Sequence, residues 1–159
     1  MTATLYQSPL GVLTLISDGQ SLTELHFAKH QEAMGAQEMS IESNPQVFAD
    51  TFRWLDLYFS GNSPDFTPSL NPQGSLFQQK VWRELLTIPY GQTTTYGAIA
   101  KSLNCRSAQA IGQAIHRNPI AIIIPCHRVI GADGSLTGYA SGLEIKRELL
   151  QLENCLIPN

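Results

Sequence analysis

What this chain lacks narrows its class first. It has only three cysteines in 159 residues, and so small and odd a number argues against a disulfide scaffold and for reduced thiols. No apolar run approaches the ~20 residues a membrane helix needs. The longest, Ile120 to Ile124, has five residues. The opening MTATLYQSPLG has no basic segment followed by an apolar stretch, so no secretory signal is expected there. Charge is sparse at 14%, too dilute for a disordered tail protein, while 43% apolar residues supply a core. The expectation is a soluble, cytoplasmic protein without membrane association, built as one domain or two small ones. The histidines (His26, His30, His116, His127) and the cysteines show no metal-ligand spacing, so neither a metal nor another cofactor is expected.

The net charge of −3 argues against nucleic acid as a partner, but it hides an asymmetry. Residues 1–73 carry two cations and eight anions, giving −6; residues 74–159 carry eight cations and five anions, giving +3. Only the second half could face phosphates. Between the halves, Ser60 to Gly74 holds three prolines, two glycines, three serines and two asparagines, the composition of a linker. The boundary is expected there, giving domains 1–73 and 74–159.

The first half alternates in the manner of short strands: Ala3 and Leu5, then Val12 to Ile16, then Leu22 to Phe27. Ser8-Pro9-Leu10-Gly11 and Ser17-Asp18-Gly19-Gln20 separate them as turns. A three-stranded antiparallel meander is the simplest arrangement. Asn44 as cap and Pro45 in the first turn start a helix carrying Val47, Phe48, Phe52, Leu55 and Phe59, which would cover the sheet.

The second half reads as mainly helical. Ser75-Leu76-Phe77-Gln78 fits a capping box, and Phe77, Val81 and Leu85 repeat every four residues. Thr94 or Thr95 caps a short helix through Leu103, and Ser107 caps another from Ala108 to Arg117, stopped by Asn118-Pro119. The tight turn Asn104-Cys105-Arg106 makes these two a helix-turn-helix. At about 100° per residue, Ile111 and Ile115 face the core while Gln109, Ala110, Gln113 and Arg117 face outward. That outer face is small, polar and singly basic, fit for close approach to a DNA groove, or simply a solvated surface. Ile120 to Ile124 reads as a buried strand, Asp133-Gly134 as a hairpin-like turn or wing, and Leu143 to Glu153 as the last helix.

Pro125-Cys126-His127-Arg128 is the strongest local signal. A thiol becomes a nucleophile when a base or a positive field favours the thiolate. His127 can be that base and Arg128 that field. Neighbours on an extended strand point to opposite faces, so contact between Cys126 and His127 requires a local bend, which Pro125 favours, or a bridging water. The base in turn needs an orienting carboxylate: Glu153, Glu148 or Asp133. Cys105 and Cys155 read as small apolar fillers, and His26 and His30 as surface or satisfied histidines.

Ile124-Pro125-Cys126-His127-Arg128-Val129-Ile130 resembles the active-site segment of the O6-alkylguanine-DNA alkyltransferases, also called methylated-DNA–protein-cysteine methyltransferases. The likeness runs through most of residues 75–155. Thr94-Thr95-Tyr96-Gly97 resembles the start of the family's helix-turn-helix, Arg117-Asn118-Pro119 its Asn-Pro hinge, and Gly138-Tyr139-Ala140-Ser141-Gly142 its substrate-binding loop. Ser8-Pro9-Leu10-Gly11 and the strand after it resemble its ribonuclease-H-like domain. The resemblance implies an α/β (α+β) fold: a small ribonuclease-H-like antiparallel sheet with a helix, then a winged helix-turn-helix domain. It implies transfer of an alkyl group from guanine O6, and from O4-alkylthymine, to Cys126, once per molecule. It assigns Glu153 to a Cys–water–His–Glu relay through His127, Asn118 to the hinge, and Tyr96 to donation toward the departing guanine. Substrate and DNA contacts fall to Gln109, Ala110, Gln113, Arg117, Arg128, Val129, Tyr139 and Ala140. The implied partner is double-stranded DNA containing O6-alkylguanine, bound by a monomer with the damaged base flipped out.

Two departures from the family pattern stand out. Gln109 occupies the place of an arginine that fills the gap left by the flipped base, and Ala140 stands where some relatives have serine. Two other classes compete. A lesion-binding sensor would lack the cysteine, so Cys126 counts against it, while Gln109 keeps it open. A cysteine hydrolase would need a glycine-rich oxyanion hole beside the nucleophile, and here glycine arrives only at Gly131.

Overall fold

The computed structural model describes residues 1–28 and 45–154, in two compact units, Met1–Pro72 and Gln73–Asn159. In the first, β1 (Thr2–Ser8), β2 (Gly11–Ser17) and β3 (Leu22–Phe27) form the expected antiparallel meander in that order. Register pairs Tyr6 with Leu13 and Leu15 with Leu25, which aligns the buried leucines. Helix α1 (Gln46–Phe59) packs on β1 and β2. Its buried stripe is Val47, Phe48, Thr51, Trp54, Leu55 and Tyr58; the expected Phe52 and Phe59 sit half-buried at the edge, against the Tyr6 ring. Pro45 itself occupies the cap position with no side-chain bond, and the cap residue expected, Asn44, lies outside the described residues, as do His30 and Cys155.

The proline-rich stretch after α1 is only partly a linker. Its Ser69–Asn71 portion pairs with β3: Leu22 N–H donates to Ser69 O at 2.8 Å and Asn71 N–H to Leu22 O at 2.8 Å. Asn71 also donates its side-chain amide to Asp18 at 3.0 Å, and this bond, with the backbone N–H groups of Ser21 and Gln20, lowers the Asp18 pKa to about 2.

The second unit is built on three capped helices. Helix α2 (Leu76–Leu85) opens with the full capping box, Ser75 Oγ accepting from Gln78 N–H and Gln78 Oε1 accepting from Ser75 N–H. Thr95 and Ser107 cap α3 (Tyr96–Ser102) and α4 (Ala108–His116), each accepting the N–H three residues on. The turn between them is a Schellman motif. Asn104 takes φ 54°, Cys105 N–H reaches Ala100 O at 2.8 Å, and Asn104 N–H reaches Lys101 O at 3.2 Å. Helices α2 and α3 both pack on α4, whose buried residues are Ile111, Ala114 and Ile115. Trp82 of α2 donates its indole N–H to Ala114 O at 2.9 Å.

Ile120 to Ile124 is buried, as expected, but it is not a strand. Ile124 N–H bonds to Ile120 O and Ile123 N–H to Ala121 O, closing a three-residue turn centred on Ile122 at φ 72°. A β-branched residue in that region is strained by about 1–3 kcal/mol. Asn118 latches the coil from outside, donating to Ile124 O at 2.8 Å and accepting Ile120 N–H at 3.0 Å. A run of β-branched residues reads as a strand only if neighbouring strands supply its ladder; here side chain and turns satisfy the backbone instead.

Beyond this coil, β5 (Val129–Ile130) pairs parallel with β4 (Thr94–Thr95). The Asp133-Gly134 turn closes through Gly131 N–H to Ser135 O at 2.8 Å, a wing-like loop with no second strand among the described residues. Helix α5 (Leu143–Leu152) buries Lys146, Leu149 and Leu150 and leaves Leu143 exposed. No helix among the described residues is long and apolar enough to cross a membrane.

Candidate active site

The bend expected at Pro125 is present. With φ −81° and ψ 65°, Pro125 forms an inverse γ-turn in which Cys126 N–H returns to Ile124 O at 2.8 Å. Cys126–Arg128 then make one turn of 3₁₀ helix, so the thiol and the imidazole leave a tight curve instead of opposite faces of a strand. All three side chains are buried.

Of the three candidate carboxylates, Glu153 is the one that meets the imidazole. Its Oε2 lies 2.5 Å from His127 Nε2; its Oε1 accepts Arg128 Nε at 2.7 Å and Gly91 N–H at 3.2 Å. Asp133 instead accepts from Ser135 at the surface. Glu153 can reach His127 because it occupies the cap that ends α5. Gly91 can approach it because it has no side chain: its φ is +81°, and a Cβ there would stand 3.3 Å from Glu153 O. Burial alone would raise the Glu153 pKa, but the hydrogen bonds and charges of His127 and Arg128 overcome it and hold the carboxyl at about 2. Burial keeps His127 below the usual histidine value, against the pull of Glu153, so the imidazole is neutral and able to accept a proton.

Arg128 was expected to supply field to the thiol and contact substrate. Its guanidinium is instead committed inward, to Glu153 and, through Nη1, to Ile88 O at 2.7 Å, with the Tyr90 ring 5.8 Å away. Val129, also expected on the binding side, is fully buried and contributes its carbonyl to Lys146. These positions follow from the 3₁₀ turn, which curls the residues after the thiol into the core.

The thiol is surrounded by neutral donors and one cation. Burial dominates and holds the Cys126 pKa above the ordinary thiol value, against the Asn118 amide, the Lys146 charge and the Tyr139 hydroxyl, which act in the opposite direction. Tyr139 is buried, and burial, together with the adjacent Cys126, keeps its phenol protonated. Ala140 beside it is exposed. Tyr96, half-buried at the start of α3, donates its hydroxyl to Thr137 O at 3.2 Å. Gln109, Gln113 and Arg117 are exposed along one face of α4 and Ala110 is half-buried, the disposition expected from the helical wheel. Cys105, expected as a filler, is half-exposed and donates its S–H to Ser107 O at 3.5 Å. Among the described residues no group of three or more His, Cys, Asp or Glu side chains is placed to hold a metal ion.

Sequence reasoning missed Lys146 as a site residue. It is fully buried, and its Nζ donates to Val129 O at 2.6 Å and Thr137 O at 2.7 Å. The signal was available: a lysine falls on the apolar stripe of α5, three residues before Leu149 and four before Leu150.

Fold and site define a two-unit protein whose helix-turn-helix unit holds a buried cysteine next to a His–Glu pair. Residues 76–155 match the family described as 6-O-methylguanine DNA methyltransferase, DNA binding domain, and residues 1–72 match its ribonuclease-like domain. The chain therefore belongs to the methylated-DNA–protein-cysteine methyltransferases, DNA-repair enzymes whose name states the reaction. It is 47% identical to the Methanosarcina acetivorans enzyme of that name over 150 residues, covering 94% of this chain and 96% of that one. It is 44% identical to the Mycobacterium tuberculosis enzyme over 152 residues, covering 95% and 91%. The crystal structure of M. tuberculosis OGT in complex with DNA superposes with a TM-score of 0.83 at 43% identity, covering 96% of this chain and 92% of that one. An O6-methylguanine DNA methyltransferase from Methanococcus jannaschii gives 0.69 at 30% identity, with 98% and 96% covered.

Proposed function

We propose that this chain repairs O6-alkylguanine, and O4-alkylthymine, in double-stranded DNA by moving the alkyl group irreversibly onto Cys126. The observation that carries this reading is the buried Cys126 thiol on a 3₁₀ turn whose next residue, His127, is hydrogen-bonded to Glu153. The neutral imidazole takes the thiol proton, directly or through water, and Glu153 steadies the imidazolium that results. The sulfur lone pair forms an S–C bond to the alkyl carbon while the C–O6 bond breaks. The electron pair of that bond leaves on guanine, which recovers a proton from the protein. The Tyr96 hydroxyl and the backbone N–H groups around Tyr139 and Ala140 donate to the departing base; Tyr96 exchanges its bond to Thr137 O for one to guanine. A thioether is a poor leaving group, so each molecule acts once.

A stacked base cannot reach a buried sulfur, so the lesion is flipped out at a cost of about a few kcal/mol. The face of α4 carrying Gln109, Ala110, Gln113 and Arg117 lies against the DNA; the M. tuberculosis relative solved in complex with DNA supports DNA as the partner. Contacts are mostly to phosphate and groove shape, because lesions occur in any sequence. The protein acts as a monomer in the cytoplasm.

Mixing the protein with a duplex bearing one O6-methylguanine tests this by mass spectrometry. The peptide containing Cys126 gains one methyl in place of hydrogen, one equivalent per molecule, and Cys126→Ala gains none. Tight binding without mass gain would instead make this a lesion sensor.

A further inference from the structure

The loop between β5 and α5 gives Tyr96 a second hydrogen bond that the transfer steps leave unused. Tyr96 is the first residue of α3 and is half-buried. Its ring lies over Gly112 of α4, where a Cβ would stand 3.8 Å from the ring edge. Both bonds of its hydroxyl go to one residue 41 positions further along the chain. Tyr96 donates to Thr137 O at 3.2 Å, and Thr137 Oγ1 donates to the Tyr96 oxygen at 3.3 Å. Thr137 is exposed, so burial does not oblige its hydroxyl to find a protein partner, yet it is turned onto Tyr96.

The two bonds act differently. The carbonyl bond holds the Tyr96 proton at rest. The hydroxyl bond reaches the Tyr96 oxygen itself, and a hydroxyl whose oxygen accepts a hydrogen bond is polarised into a better donor. Lys146 Nζ also donates to Thr137 O, at 2.7 Å. When Tyr96 turns its proton from that carbonyl to a bound base, the carbonyl keeps a partner, and no orphaned acceptor penalises the exchange.

We propose that Thr137 is a positioning residue for the leaving-group step, whose hydroxyl holds the Tyr96 oxygen in place and strengthens Tyr96 as donor to the departing guanine. The proposal rests on Tyr96 acting as that donor in the alkyl transfer proposed for this chain, and adds what orients and polarises it. As the C–O6 bond breaks, its electron pair passes to guanine. Tyr96 O–H donates to that growing charge, and negative charge gathers in turn on the Tyr96 oxygen. The Thr137 O–H meets it there, so this bond tightens more in the transition state than in the bound ground state. Thr137 itself gives up no proton. Threonine suits the task because branching at Cβ restricts χ1, so the hydroxyl is aimed before substrate arrives.

The test uses the full chain and a duplex bearing one O6-methylguanine, in single-turnover reactions over a range of protein concentrations. The maximal transfer rate reports chemistry, and fluorescence anisotropy with the same duplex reports binding. Thr137→Val keeps the shape and the backbone carbonyl and deletes the O–H. Its maximal rate is expected to fall by about three- to tenfold, the weight of one hydrogen bond, with duplex affinity unchanged. Thr137→Ser, which restores a hydroxyl, is expected to recover most of the rate. Tyr96→Phe supplies the second arm. On that background Thr137→Val is expected to slow transfer no further, because the oxygen it acts on is gone. A Thr137→Val chain that transfers at the parental rate overturns the proposal. So does the same slowing with and without the Tyr96 hydroxyl, or a loss of rate that follows a loss of affinity. A parent chain that binds the duplex but moves no methyl would refute alkyl transfer itself, an outcome visible without any substitution, and the role of Thr137 would fall with it.

Discussion

At the scale of single residues, Glu153 organises the site. One carboxylate takes the imidazole of His127, the guanidinium of Arg128 and the Gly91 amide, so removing its charge disturbs three partners at once. Glu153→Gln leaves Arg128 buried without its anion, and losing one member of a buried pair costs about 3–5 kcal/mol. The variant should be destabilised by about that much in urea at pH 7, and its methyl transfer should slow by about a hundredfold or more, the range for an impaired general base. The acid dependence follows from the depressed pKa. A carboxyl held at about 2 in the fold and near 4.5 when unfolded stabilises the protein fully above about 4.5. That contribution disappears as pH falls toward 2. The stability gap between parent and variant should therefore narrow over this window, and a gap independent of pH would show that the Glu153 charge contributes nothing.

Among the elements, what was legible in the sequence divides by the range of the forces that decide it. Ser75, Thr95 and Ser107 were readable as caps because a cap is a bond to an amide three residues on. The meander was readable because its turns and alternation are local. The coil at Ile120–Ile124 was not, because Asn118 and the turn at Ile122 settle its backbone, and five apolar residues look alike either way. Glu153 was named among three carboxylates, but only the packing of α5 against the 3₁₀ turn selects it. Lys146 was visible on its stripe, yet its acceptors come from β5 and from the loop before α5. The helix-turn-helix was legible as a tight turn, though not as the Schellman motif that requires Asn104 at φ 54°. That geometry carries its own prediction. Asn104→Gly should be neutral or slightly stabilising, whereas Asn104→Val should cost about 1–2 kcal/mol by urea denaturation, since a β-branched side chain is penalised there. Equal stability of the two variants would contradict the left-handed cap.

Over the whole molecule, the separation of charge decides how DNA is held. The acidic unit, residues 1–72, carries −6, and residues 73–159 carry +3. Two of the eight cations in the second unit, Arg128 and Lys146, are buried in the site, which leaves Lys80, Arg83, Lys101, Arg106, Arg117 and Arg147 exposed. So few surface cations imply few phosphate contacts and a shallow salt dependence, because log affinity falls by about 0.9 per log salt for each phosphate neutralised. On the face proposed to meet DNA, Arg117 is exposed at the cap that ends α4. Arg117→Gln should lower the salt slope by about one and weaken binding evenly across duplex sequences. Gln109→Arg, on the same exposed face, adds a cation and a longer side chain where the proposed flipping of the base would leave a gap. It should raise duplex affinity, steepen the slope by up to about one, and speed transfer from O6-methylguanine. Fluorescence anisotropy across a salt series, beside timed transfer, measures all three. If Gln109→Arg changes neither affinity nor rate, this face of α4 does not meet the DNA, because a new guanidinium against phosphate must register in the slope.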